Sequence, residues 1–393
     1  MAKIISIINL KGGVAKTTTT VGLAQVLSTE FNKKVLVIDL DAQTNATTML
    51  IGEEKWLEVN KDKQTIVQLF YEGVYPKSEK IFDINKAILK GVSNIDEVKL
   101  VDLLPSSLEL IDIQEDVIKA PRGIFSTIRP VDLLGRQLSK VKERYDYILI
   151  DCPPNLGVIT RNGLKVSDVY IIPTIPDILS TYGIPQIISR VKKYSKELER
   201  DIKPLGIVIT KYREQSPVHR RTIKKLQEEV DCKVFNTIFK ENDSIASAAE
   251  YINKSTVRQK WGYGGQVNNF IALAREIITF LHGKEEYEKA VNLADHLFNN
   301  KFADLSKKDI EELFGNEDIK EVEANQNILD LVVALGAASS KREAREFISN
   351  GAISINGEKV TDINTIVDNS MFIEDTYIVV KRGKKNNYIG KRI

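Results

Sequence analysis

The residues best equipped for chemistry lie near the start of this 393-residue chain, in Lys11-Gly12-Gly13-Val14-Ala15-Lys16-Thr17-Thr18. An apolar, β-branched run (Ile4, Ile5, Ile7, Ile8) stops at Lys11, and a helical pattern begins near Lys16. Strand, glycine turn and helix N-terminus together form a phosphate cradle. Free N–H groups of the helix's first turn face the anion, and the helix dipole favours negative charge there. In such a cradle Lys16 supplies a cation to the β- and γ-phosphates and Thr17 a hydroxyl to Mg2+. Leu10 and Ala15 stand where the strict spelling G-x-x-x-x-G-K-[ST] has glycine.

Two acidic clusters complete the set. Asp39-Leu40-Asp41 closes the apolar run 35–38 and leads into Gln43, Asn45 and Thr47. Asp151 closes Tyr147-Ile148-Leu149-Ile150 and is followed by Cys152-Pro153-Pro154-Asn155, with the form of a Walker B strand whose carboxylate can hold Mg2+. Cys152 has no base near it in sequence and reads as a small buried filler.

Positioning these groups takes a sheet. Strands are expected at 4–8, 35–39, 98–104, 147–151, 169–175, 205–209 and 234–239, most of them separated by enough chain for a crossover helix. The runs are nearly continuous rather than alternating, which indicates strands buried on both faces of a mostly parallel α/β sheet. Ligands of such sheets bind beyond the carboxyl ends of the strands, where the three motifs fall. An amphipathic helix at 270–281 closes this part.

The spelling K-G-G-x-x-K-T-T at 11–18 resembles the deviant Walker A of the ParA/MinD (Soj-like) family of P-loop ATPases. The run D-x-D-A-Q-x-N-A-T at 39–47 and D-x-P-P at 151–154 are similar to that family's next motifs, with Ala42 in place of the usual proline. The resemblance implies a Mg2+-dependent ATPase over residues 1–281, with ATP held by Lys11, Gly12, Gly13, Val14, Ala15, Lys16, Thr17 and Thr18. It assigns catalysis to Lys11, Lys16 and Asp41, the metal shell to Thr17, Asp39 and Asp151, and the γ-phosphate switches to Gln43, Asn45, Thr47 and Asn155. It further implies that Lys11 reaches the partner's phosphates in an ATP-dependent homodimer, with Gly12 at the interface. Non-specific DNA and a ParB-like centromere-binding protein are the partners expected, in a cytoplasmic, nucleoid-associated role in plasmid or chromosome partition.

A basic segment holds Lys211, Arg213, His219, Arg220, Arg221, Lys224 and Lys225. Clustered cations after a strand supply phosphate contacts without sequence information. With the family's placement of DNA binding in this region, Arg213, Arg220, Arg221, Lys224, Lys225 and Lys240 become the candidate DNA contacts. Phe239 stands where the family carries a proline near the adenine.

Bulk composition excludes several classes. Hydrophobic content of 42% and charged content of 28% are ordinary for a globular chain, and a net charge of +2 leaves any nucleic-acid surface to be local. Two cysteines make no disulfide framework, and three histidines make no His-based metal site. No apolar run approaches spanning length, and no terminal basic amphipathic helix of the MinD kind follows residue 281, so no membrane role is expected.

After residue 281 the pattern changes. A helical, partly structured linker is expected over 282–327, then a small α+β domain over 328–393. In the latter, Ser340-Lys341-Arg342-Glu343 reads as a capped helix start ended by Gly351, and Asn356-Gly357 as a hairpin turn. The run SSKREAREFISNGAISINGEKV resembles the S-four-type RNA-binding end of bacterial tyrosyl-tRNA synthetases, whose catalytic signatures do not occur here. Structured RNA is therefore a second candidate partner, through Lys341, Arg342, Arg345, Lys384 and Lys385. The alternatives to partition are a nucleotide-gated RNA-binding regulator and a MinD-like positioning ATPase.

Overall fold

The computed structural model describes residues 2–75, 78–119, 129–299, 301–314, 319–383 and 386–393. They form two compact units, Met1–Tyr287 and Glu288–Ile393.

The first unit is built on one parallel sheet of seven strands: β1 (Lys3–Ile7), β2 (Val35–Asp39), β3 (Val101–Leu104), β4 (Tyr147–Asp151), β5 (Val169–Thr174), β6 (Lys203–Tyr212) and β7 (Val234–Lys240). Their order is β3-β2-β4-β1-β5-β6-β7. Every residue of β2 and β4 is buried, because helices cover both faces, which is why these runs lack alternation. The register places Asp39 and Ile7 each opposite Asp151, so the turn leaving β1 emerges beside both carboxylates. β3 starts later than its apolar run, since Val98 lies in a turn, and β6 runs on to Tyr212, carrying Lys211 on a strand.

The helix Lys16–Glu30 carries the turn's far side and packs against the helix Gln266–His282. Contact is close: a Cβ on Gly22 would stand 2.3 Å from the Phe270 ring. Beside them Trp261 is fully buried and donates its indole N–H to Gln25 Oε1 at 2.8 Å. Among the described residues no helix is long and apolar enough to cross a membrane.

The neighbouring Lys260, only 5% exposed, donates to Asn94 Oδ1 at 2.7 Å and Met49 O at 3.4 Å. Burial brings its ammonium down to about 7 from 10.5. Between those pH values the unfolded chain holds a proton that the folded chain has released, so stability rises with pH, by up to about 1.4 kcal/mol per pH unit. Lys260→Met is expected to remove that slope. Urea unfolding of both proteins at about pH 7.5 and 9 measures it; parallel slopes would show that Lys260 stays charged.

In the second unit the strands are β8 (Lys320–Val322), β9 (Gln326–Asn327), β10 (Ile353–Ile355), β11 (Glu358–Lys359), β12 (Ile366–Val367), β13 (Tyr377–Arg382) and β14 (Asn386–Arg392). They make a sheet of order β11-β10-β13-β14-β8 and a separate β9–β12 pair. Asn356 and Gly357, with φ of 48° and 101°, turn β10 into β11, as an Asn-Gly hairpin requires. The helix Lys341–Ser349 is capped by Ser340, which accepts from Glu343 N, and its buried Ala344 and Ile348 pack on Ile353, Ile378 and Val380. Within the expected linker, the helix Lys307–Phe314 and β8 are both ordered elements. β8 is a polar, three-residue edge strand (Lys-Glu-Val), too short to show periodicity.

Candidate functional site

The loop 8–15 is held from both sides. Asn9 donates to Pro173 O at 2.8 Å and accepts from Lys11 N at 2.9 Å, while Thr210 Oγ1 donates to Val14 O at 3.1 Å. Gly13 has a φ of 73°, which glycine adopts without strain. Ala15, the residue before the helix, is also left-handed, with φ 63° and ψ 35°. An alanine there costs about 1–2 kcal/mol of backbone strain. Ala15→Gly relieves it against the greater flexibility of glycine in the unfolded chain, so a gain of about 0.5–1 kcal/mol is expected in urea unfolding. A loss would mean that the Ala15 methyl makes contacts worth more than the strain.

Behind the loop sits the acidic cluster. Asp151 is fully buried and accepts from Thr17 Oγ1 at 2.7 Å. Asp39, also fully buried, accepts from Asp41 N (3.0 Å), Thr47 N (2.9 Å) and Thr47 Oγ1 (2.7 Å). Burial raises the Asp39 carboxyl well above the usual carboxylate range, against the hydrogen bonds from Thr47. Burial and the Asp39 charge likewise raise the Asp151 carboxyl. Lys16 is nearly buried; desolvation lowers its ammonium while the Asp151 and Asp41 charges hold it up. Two buried carboxylates beside a threonine hydroxyl, with one lysine to balance them, form an oxygen donor set short of positive charge. That composition fits Mg2+.

In front of the loop is a cavity of about 630 Å3. Its polar lining includes Gly12, Gly13, Ala15, Lys16, Thr17 and Thr18 of the loop and helix start, together with Asp41, Gln43 and Asn45. Its apolar end is lined by Met49, Phe239, Ile245 and Phe270, with the Phe239 and Phe270 ring centroids 4.7 Å apart. Such a slot accepts a flat base. Met49, Ile245 and Phe270 carry no motif; the helical spacing at 270–281 marks Phe270 as core, which it also is.

Several expected residues lie outside this lining. Val14 is buried. Thr47 faces Asp39 and also accepts from Ser106 N at 3.0 Å. Asn155 accepts from Gly157 N at 2.8 Å. Lys11 turns away from the cavity and pairs with Asp177, the residue that caps the helix Ile178–Glu197. Next to this pair Ile178, Leu179 and Tyr182 are 57, 70 and 63% exposed, an apolar surface at the rim of the site. Cys152 is fully buried, with its thiol pushed up by burial.

Most of the candidate DNA contacts stand beside acids. Arg213 pairs with Glu241 (2.5 Å) and Lys240 with Glu214 (2.6 Å); Lys224 and Lys225 stand 3.7 and 3.6 Å from Glu228 and Glu229. Arg220 donates to Glu214 O at 2.6 Å, and Arg221 has no carboxylate partner among the described residues. Lys240 lines the cavity itself. All these pairs are exposed and screened by water, so they can exchange for phosphates. In the second unit Lys341 pairs with Asp330, whereas Arg342 and Arg345 are exposed without a carboxylate partner among the described residues. Lys384 and Lys385 lie outside the described residues.

Two separate stretches of the chain are similar to known proteins. Residues 2–204 match the AAA domain family, and residues 309–389 match the tyrosine–tRNA ligase SYY-like C-terminal domain. The sporulation initiation inhibitor protein Soj of Bacillus subtilis is 30% identical over 277 residues, covering 70% of this chain and 98% of that protein. A protein of Borrelia burgdorferi B31 described as a plasmid partition protein, with AMPPNP bound, superposes with a TM-score of 0.55 at 25% identity, covering 71% of this chain and 99% of that one. At the other end, the tyrosine–tRNA ligase of Streptococcus thermophilus is 40% identical over 119 residues, which are 30% of this chain and 28% of that enzyme. The chain is a member of the ParA/Soj family of P-loop ATPases and carries a tyrosyl-tRNA-ligase-type C-terminal domain on the same polypeptide.

Proposed function

We propose that this protein is an ATP-switched dimer that binds DNA non-specifically and hydrolyses ATP, with Mg2+, in plasmid or chromosome partition. The observation that carries this reading is the placement of Lys11. It stands exposed at the rim, held by an exposed pair with Asp177 rather than turned into its own cavity. Gly12 adds support: nothing in its own chain lies within 4 Å of where a Cβ would be, and its φ is not positive. The absence of a side chain there serves something outside the chain. A second copy approaching across Gly12 and the apolar surface of Ile178, Leu179 and Tyr182 would receive Lys11 at its phosphates.

Within one protomer Lys16 and the N–H groups of the loop bind the phosphates, and the apolar slot orients the base. Thr17 and Asp151 would hold Mg2+, which neutralises charge on the β- and γ-phosphates when bound. Asp41, at the cavity wall, orients the attacking water. Asp39 holds the segment 41–47 through its bonds to Asp41 and Thr47, so loss of the γ-phosphate would release that segment. The Borrelia structure with AMPPNP supports the nucleotide assignment.

The test is sedimentation of the full chain with random duplex DNA, with and without ATPγS. Binding is expected only with the triphosphate. Arg220→Glu with Arg221→Glu should weaken it and reduce the salt slope by about 2. Binding that ignores nucleotide would contradict the switch.

Arg342 and Arg345, exposed and without a carboxylate partner among the described residues, favour a second reading, a nucleotide-gated RNA-binding regulator. Under it, tRNA competes better than DNA, and Arg342→Glu with Arg345→Glu removes that preference while leaving DNA binding intact.

A further inference from the structure

The first unit has a second cavity, of about 610 Å3, comparable in size to the nucleotide site. It lies at the amino ends of β1 and β5, away from the carboxyl ends where the loop 8–15 emerges. Its charged lining comprises Lys3, Arg136, Lys142, Lys165 and Arg200 against Asp132 and Asp168, a surplus of three positive charges.

Both acids are already engaged. Asp132 accepts from Lys165 and from Arg129 Nε at 3.0 Å, and Asp168 accepts from Ile4 N at 2.9 Å and Arg200 Nη2 at 3.0 Å. Among the described residues Lys142 has only a loose pair with Glu143, at 3.9 Å, and Lys3 makes no side-chain ion pair. Beneath the charges the walls are apolar: Ile4, Leu138 and Val166 are buried, and Ala2 and Val131 are half-buried.

A cationic rim over an apolar floor selects for an anion that carries an apolar body. Arginine and lysine together favour phosphate, since a guanidinium offers paired donors and an ammonium a movable point charge. We propose that this cavity is a binding site for a small phosphate monoester, separate from the nucleotide site. The phosphate meets Lys3, Lys142 and the Arg200 nitrogen left over from its bonds to Ser167 O (3.1 Å) and Asp168 (3.0 Å), and the ester's organic part lies on Ile4, Leu138 and Val166. β1 joins the two sites, running from Lys3 at this cavity to the residues that enter the phosphate loop. The proposal does not depend on the dimer or partition reading.

Hydrogen exchange on the full chain, saturated with Mg·ATPγS so that the first site is filled, tests it. The probes are inorganic phosphate and phenyl phosphate. Phenyl phosphate is expected to slow exchange within 131–142 and 165–168, with an affinity about tenfold above that of phosphate, from burial of the ring. Raising salt should weaken both. Lys3→Gln with Lys142→Gln should cut the affinity about tenfold or more while basal ATP hydrolysis is unchanged. Ser139→Phe, which plugs the cavity from its exposed rim, should block both probes. No protection, equal affinity for the two probes, or undiminished binding by both variants would overturn the proposal.

Discussion

Lys11→Ala is expected to abolish ATP-dependent dimerisation and to lower ATP hydrolysis about a thousandfold, while ATP binding to the single chain changes by only a few-fold. Among the described residues the Lys11 side chain pairs with Asp177 alone, and it lies at the surface. Losing an exposed pair costs about 0–1 kcal/mol, so the fold and its melting temperature should hold. Binding survives because Lys16, the loop amides and the apolar slot are untouched. Hydrolysis does not, because a cation delivered to the phosphates from a partner is worth about 10³–10⁵ in related phosphoryl transfers. Fluorescent-nucleotide binding, light scattering and phosphate release measure the three quantities separately. Normal turnover by the variant would contradict the role given to Lys11.

Asp41→Ala should separate the same steps at a different point. Asp41 lies at the cavity wall, 7% exposed, and one of its oxygens accepts from Gln43 N at 3.0 Å. Asp39 has three hydrogen bonds to its carboxylate and faces inward. Of the two, Asp41 is the one with oxygen available to a water in front of the phosphates. Its removal is expected to slow hydrolysis about 10²–10⁴-fold, the usual contribution of a positioned base. The triphosphate-bound dimer should persist, since no dimer contact is assigned to Asp41. Analytical ultracentrifugation with ATP then shows a long-lived dimer, in contrast to the monomer expected of Lys11→Ala. A variant that hydrolyses ATP at the normal rate would move the base elsewhere.

What could be read from sequence was local. The phosphate loop is contiguous, and its strand, turn and helix each leave a signature within a few residues. The inner strands of the first unit leave a similar local signature, since continuous apolar runs are what burial on both faces demands, whereas the edge strand β7 alternates along VFNTIFK. Approach across the sheet was not legible. Asp39 and Asp151 become neighbours through the β2–β4 register, and it is their joint burial that raises both carboxyls. Nothing near Lys11 announces Asp177, because the pair forms between the turn after β1 and the helix after β5. The basic run at 211–225 is plain in the sequence, yet the pairs Arg213–Glu241 and Lys240–Glu214 depend on how the segments after β6 and β7 lie together. Phe270 shows how a core residue hides a second role. One edge of it packs on Gly22 while its ring lines the cavity. β8 was missed because three residues at a sheet edge carry no period to detect.

The account rests on a triphosphate joining two copies of the chain, each lending Lys11 to the other. Sedimentation velocity of the full chain in Mg2+ with ATPγS, with ADP and without nucleotide tests this most directly. The expected result is a dimer with ATPγS alone, lost in Lys11→Ala. A monomer under all three conditions, or a dimer indifferent to nucleotide and to Lys11, would contradict it.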